Sequence, residues 1–271
     1  MLEENKKEIH YFMKKLLLAF GLGLTTLALG QTPPTTTKTV DFVAKTLSPA
    51  TVLLYSQDQN GGMKMRCTAT AIDRIPKGYE FVTAAHCGCQ DNLEKKTTSP
   101  EKTFFYVTRD EPKDKQFIKA EITGCGYQHK GDDFMLLEAV SDQDFPIVKL
   151  GKDPVVLEQI VNVASPLGLG KQVFLGSVSS PSLDRPVVVN DINWTGVVLL
   201  QMFGVAGGAS GSSVVCLDQE AICAFVVGVV SDTTITAMPV SRLESLRKAL
   251  REKTYRYWVK DSDTVTNEEG K

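Results

Sequence analysis

Histidine is scarce in this chain, with three in 271 residues. Chemistry that needs an imidazole must use His10, His86 or His129. An excess of one charge is also missing. Lys and Arg number 30 against 32 Asp and Glu, a formal balance of −2. That excludes bulk electrostatic binding of nucleic acid and names no charged partner. No C-x-x-C pair, P-loop or dinucleotide-binding glycine fingerprint occurs, and no lipobox cysteine. The motifs that would announce a bound cofactor are therefore lacking. The apolar stretch at 16–29 falls short of the ~20 residues that span a bilayer.

What that stretch does have is the order of an export signal. Lys14-Lys15 precede an apolar core from Leu16, and small residues lead to Gly30 and a polar Gln31-Thr32-Pro33-Pro34. Cleavage near Gly30–Gln31 is expected, with no stable membrane insertion afterwards and a secreted or periplasmic destination. Glu3, Glu4 and Glu8 are out of place in a basic n-region, so Met13 makes a more typical start. All six cysteines (Cys67, Cys87, Cys89, Cys125, Cys216 and Cys223) follow the expected cleavage point. An even count in an exported chain predicts disulfides. Cys87-Gly88-Cys89 is poorly spaced for two ligands on one tetrahedral metal.

Residues 31–40 are rich in Pro and Thr and predict an extended lead-in. Short runs of Val, Ile, Thr and Phe then alternate with turn clusters. Six strands are predicted at 51–55, 65–72, 81–85, 103–108, 117–123 and 134–139. A polar break around 141–146 separates them from a second set at 159–164, 172–178, 186–189, 196–202, 213–216, 221–230 and 234–240. The fold class is all-β. One helix is predicted, over 241–253, with Leu243, Leu246 and Leu250 on a single stripe and basic residues on its solvated side. This divides the chain into a signal region (1–30), lead-in (31–40), first unit (41–145), second unit with helix (146–253) and tail (254–271).

Three separated motifs carry chemistry. His86 ends the run Phe81-Val82-Thr83-Ala84-Ala85. Asp133 opens Phe134-Met135-Leu136-Leu137, with Asp132 one residue farther out and facing the other side. Ser210 lies in Gly207-Gly208-Ala209-Ser210-Gly211, with Ser212 and Ser213 as competitors. A serine hydroxyl needs a neighbouring base, and imidazole suits because its pKa is near working pH. A carboxylate on the far ring nitrogen fixes the tautomer. The small residues around Ser210 let the backbone turn its N–H groups inward, so Gly208 and Ser210 are the candidate oxyanion donors. His10 lies in the address segment and His129 in a polar loop.

Taken together these motifs resemble the chymotrypsin-like (trypsin-fold) serine peptidases. Thr83-Ala84-Ala85-His86-Cys87, Asp133-Phe134-Met135-Leu136-Leu137 and Gly208-Ala209-Ser210-Gly211 match the family's three motifs. Val227-Gly228-Val229-Val230-Ser231 is similar to its substrate-pairing strand. Ser165-Pro166-Leu167-Gly168, Gly176-Ser177-Val178-Ser179-Ser180 and Ala237-Met238-Pro239-Val240 are closest in flavour to the bacterial Deg-type branch, though no peptide-binding module fits after the helix. The likeness covers about residues 41–253. It implies two six-stranded antiparallel β-barrels with a C-terminal α-helix and a site in the cleft between them. It implies an endopeptidase acting through an acyl-enzyme on Ser210, with His86 as base and Asp133 orienting it, a polypeptide substrate, and neither metal nor organic cofactor.

The departures carry information too. Ala209 stands where digestive relatives carry an acid, and no Ile-Val-Gly-Gly-like start is present, so activation by N-terminal insertion is not expected. Gly204 falls near the base of the implied specificity pocket, which predicts small or medium apolar preference. Ser231, Asp232 and Thr233 complete the implied substrate-binding set, Asp232 reading more simply as a surface carboxylate. The resemblance also implies a bridge between Cys67 and Cys87 beside the histidine. Cys216 and Cys223 flank a hairpin they could staple, and Cys89 and Cys125 remain as the third pair.

Overall fold

The computed structural model describes residues 37–109, 116–189 and 192–252. The expected signal region and tail, and His10 with them, lie outside the described residues. Two closed six-stranded antiparallel barrels make up the body. The first is formed by β1 (Thr51–Gln57), β2 (Met63–Ile75), β3 (Gly78–Thr83), β6 (Phe104–Thr108), β7 (Ile118–Cys125) and β8 (Met135–Val140). They close in the order β1-β2-β3-β8-β7-β6. The second comprises β9 (Gln159–Ala164), β10 (Gln172–Leu183), β13 (Val197–Met202), β14 (Ser213–Cys216), β15 (Ala221–Ser231) and β16 (Thr234–Pro239). Its order is β10-β13-β16-β15-β14-β9. Closure removes the exposed edges that open antiparallel sheets must otherwise protect.

The apolar runs form these strands because β-branched and aromatic side chains suit a pleated, half-buried surface. Their inward members fill a core that continues across both barrels. Phe134 and Phe225, one from each half, are fully buried and meet edge-on with ring centroids 5.6 Å apart. Burying each such ring contributes about 2–3 kcal/mol. The polar break expected around 141–146 is the crossing between barrels. It is anchored by Phe145, which sits at 5.1 Å from Tyr79 and 5.3 Å from Phe81, both T-shaped contacts.

Three features depart from the sequence reading. The extended lead-in over 31–40 gives way to helix at Thr37–Phe42, continuing as π-helix through Val43–Leu47 and as α-helix at Ser48–Ala50. Leu47 and Ala50, at the end of this helical stretch, are buried and anchor it to the first barrel. The predicted strand at 186–189 is outside the barrel: β11 (Val187–Val189) pairs with β12 (Ile192–Trp194) in a separate two-stranded ribbon. A second ribbon, β4 (Cys89–Asn92) with β5 (Thr97–Pro100), was not expected, because its residues are mostly polar.

The C-terminal helix runs Val240–Arg251 and buries Leu243, Leu246 and Leu250 as expected. Its basic side chains are not all solvated. Arg242 Nη1 donates to Gly131 O at 2.7 Å and Nη2 to Thr195 O at 2.8 Å, tying a loop of each barrel to the helix. Arg247 pairs with Glu80 and with Asp73 on the first barrel. Three disulfides join Cys67 to Cys87, Cys89 to Cys125 and Cys216 to Cys223, with Cα separations of 6.1, 6.1 and 5.8 Å. No helix among the described residues is long and apolar enough to cross a membrane.

Candidate active site

His86 sits in a 3₁₀ turn, Ala85–Cys87, directly after β3. The buried run that forms β3 carries the chain inward, and the Cys87 bridge to Cys67 on β2 fixes where the turn lands. Asp133 precedes β8 and is fully buried. Its Oδ2 lies 2.6 Å from His86 Nδ1, and its Oδ1 accepts the His86 backbone N–H at 2.8 Å. An ionised carboxylate only accepts, so Nδ1 carries a proton and Nε2 of the neutral ring is left with a lone pair. Burial pulls the imidazole pKa down. The charge and hydrogen bond of Asp133 outweigh that and Arg66 nearby, leaving it raised.

Ser210 is half-buried at the tip of a turn that three strands hold. Its carbonyl accepts the N–H of Thr68 on β2 at 3.0 Å. Thr68 Oγ1 donates to Gly208 O at 2.9 Å and accepts the Ser165 N–H at 3.1 Å. Gly211 N–H donates to Val226 O on β15 at 2.7 Å. Gly211 has φ +79°, and a Cβ there would fall 2.2 Å from Thr83 Oγ1 and 2.5 Å from Ala84 N. Only glycine fits, and the turn is thereby wedged against the residues that lead into His86. The Ser210 turn of the second barrel thus packs on Thr68 and on the Thr83–Ala84 segment of the first that leads into His86. The Ser210 hydroxyl has no hydrogen-bond partner among the described residues.

The competing serines are structural. Asn162 Nδ2 donates to Ser212 Oγ at 2.8 Å, Thr70 Oγ1 donates to Ser213 Oγ at 3.0 Å, and both serines are fully buried. The N–H groups of Gly208 and Ser210 have no partner among the described residues, so both are available to an incoming oxygen. Gly208 adopts φ +96°. Thr68, which places the turn, is not singled out by the sequence, and Thr83 is read there only as part of the histidine motif. A threonine in a strand gives no local signal of such a role.

Gly204 lies two residues beyond β13, exposed, with φ +78°. Ser231, Asp232 and Thr233 make the hairpin turn between β15 and β16. Ser231 Oγ accepts the N–H groups of Thr233 at 3.4 Å and Thr234 at 3.2 Å. Thr233 O accepts the Met202 N–H at 3.2 Å, which brings that turn next to the chain entering Gly204. β14 pairs with β15 only as far as Phe225, so the β15 edge beyond Val226 is open next to the Ser210 turn, and Val229 and Val230 are exposed on it.

His129 belongs elsewhere. Its Nδ1 lies 2.7 Å from Asp91 Oδ2 on the β4–β5 ribbon. Among the described residues, Cys67, His86 and Cys87 gather their ligand-type atoms within 4.8 Å of one another. Those two sulfurs are joined to each other, and a metal requires thiolates.

A comparison of the sequence with protein-family models and with curated proteins finds no match. The fold and site therefore stand on their own geometry. They define a trypsin-like double β-barrel stapled by three disulfides, with a histidine–aspartate pair in one barrel and, in the other, a glycine-flanked serine turn packed on the segment that leads into the histidine.

Proposed function

We propose that the protein is an exported serine endopeptidase of the chymotrypsin-like kind. The observation that carries this reading is the two-point contact between buried Asp133 and His86, in a barrel whose Thr83–Ala84 segment packs on a serine turn where the Gly208 and Ser210 N–H groups have no partner among the described residues. In the proposed reaction Ser210 Oγ attacks a peptide carbonyl while His86 Nε2 takes its proton. The oxyanion is received by the Gly208 and Ser210 N–H groups, a single such donor being worth about 3–4 kcal/mol. His86 returns the proton to the departing amine, and water then releases the acyl group by the reverse roles. Asp133 stabilises the imidazolium throughout. The open edge of β15 suits an extended polypeptide, which can add to it as a strand. Three disulfides fit folding in an oxidising compartment, in keeping with the signal-like residues 14–30, and the destination is then secreted or periplasmic.

A fluorophosphonate probe tests this. Covalent labelling of the wild-type protein that Ser210→Ala abolishes is expected. A folded wild-type protein that takes no label, where a control protease does, would instead make the chain an inactive binding module.

A further inference from the structure

Leu167 lies in the left-handed backbone region, at φ +54°, with its side chain 71% exposed. A leucine there costs roughly 1–2 kcal/mol of strain, and exposure returns no burial to offset it. Single exposed leucines are ordinary. Strained ones persist only where the surroundings fix them, and such residues cluster at functional sites. Here the Leu167 N–H donates to Gly207 O at 2.6 Å, which locks the 165–170 loop onto the nucleophile turn. A Cβ placed on Gly208 would fall 2.8 Å from Ser165 O, 3.2 Å from Leu167 N and 3.6 Å from Met65 Cε. Met65 Cβ also lies 3.9 Å from the corresponding point on Gly168. Leu169 adds a second leucine, 70% exposed. Met65 and the backbone of Leu167 thus border the Gly208 end of the turn, and Leu169 stands two residues on in the same loop.

The other end of that turn meets β15, through Gly211 and Val226. An extended substrate whose acyl half lies along the β15 edge directs its departing half toward Leu167. Resting on the protease reading, we infer that Leu167, with Met65 and Leu169, forms an apolar subsite for the first residue of the leaving segment. It selects leucine- or phenylalanine-sized side chains over small or acidic ones. A hydrophobic contact of this kind is worth about 1–3 kcal/mol between competing substrates.

Acyl transfer to added amines isolates this side of the cleft. An acyl-enzyme on Ser210 is offered leucinamide, glycinamide or aspartic acid α-amide in competition with water. The amine nitrogen attacks the ester carbonyl, the C–N bond forms and the C–Oγ bond breaks. The amine proton passes through His86 to Ser210. The ratio of amide to acid product does not depend on how much enzyme is active, so partial misfolding of a variant does not distort it. Leucinamide is expected to be captured at least fivefold better than the other two. Leu167→Asn, which tolerates the left-handed backbone, combined with Leu169→Ser should erase the preference, and Leu167→Met should retain it. Equal capture of all three amides, or a preference unchanged in the double variant, overturns the subsite while labelled Ser210 keeps the protease reading intact. A Ser210 that takes neither probe nor acyl group overturns the protease reading, and the subsite with it.

Discussion

Asp133 holds His86 at two points, its ring nitrogen at 2.6 Å and its backbone N–H at 2.8 Å. Because both carboxylate oxygens are used, the imidazole can neither flip nor slide without breaking a charge-assisted hydrogen bond. Asp133 is in turn held by Phe134, whose ring packs on Phe225 across the barrel interface. The packing that joins the two halves also sets the acid.

Asp133→Asn replaces one of the two acceptors by a donor, so either the ring or the backbone N–H loses its partner. Turnover of a peptide substrate should fall by roughly 10⁴. Asp132→Asn should leave it near wild type, since the carboxylate that meets the ring is that of Asp133. Equal losses in the two variants, measured in steady state, would contradict the assignment.

The raised His86 pKa sets a pH dependence of definite sign. The base must be neutral to act, so kcat/KM should fall on the acid side with a midpoint above the usual imidazole value of about 6.5. Stability runs the other way. A raised folded pKa favours the folded state fully below the unfolded value, and that contribution disappears as pH rises through the folded one. Asp133→Asn removes the charge that raises the pKa, so the acid limb should move down. A pH profile of residual activity in that variant that keeps the wild-type midpoint would count against Asp133 as the cause.

Thr68 is the joint between the barrels at the Ser210 turn. Thr68→Val keeps its volume but strips the hydroxyl from Gly208 O and Ser165 N. Leaving such buried groups unpaired costs about 1–3 kcal/mol. The Thr68 N–H bond to Ser210 O remains, so the barrel should hold while the turn loosens. Fluorophosphonate labelling should slow about tenfold or more, with a thermal melt lowered by only a few degrees. Unchanged labelling would show that the hydroxyl does not position the turn.

The strands were legible because their Val, Ile and Phe runs are long enough to declare a pleated, buried surface. Barrel closure was not, since it depends on pairings such as β1 with β6 that no local run encodes. That architecture came from the resemblance. The His86 turn was readable from the buried strand before it. The joint at Thr68 was silent, because one polar atom in a strand has no periodicity. The β4–β5 ribbon was missed for the opposite reason: it is held by the Cys89–Cys125 bridge and the Asp91–His129 contact rather than by apolar burial. Arg242 and Arg247 read as solvated charges, and only the docked helix reveals the carbonyls and carboxylates beneath them.

Arg247 is the sharpest case, because its partner Glu80 is largely buried on β3. Burial pushes the Glu80 pKa up. Arg247 opposes that shift, while Asp73 and Glu138 add to it. Arg247→Met preserves the stem that packs on the barrel but leaves a carboxylate in low dielectric with two acidic neighbours. Breaking a buried pair from one side costs about 3–5 kcal/mol, with the lower end expected here because Asp73 is more than half exposed. A group with a raised folded pKa stabilises most when protonated, so the defect should shrink as pH falls through the carboxylate range. Adding Glu80→Gln should restore most of the loss at neutral pH. Urea melts of the two variants at neutral and mildly acidic pH check both claims. A defect that does not change with pH, or that Glu80→Gln fails to repair, would mean that Arg247 acts through packing rather than charge.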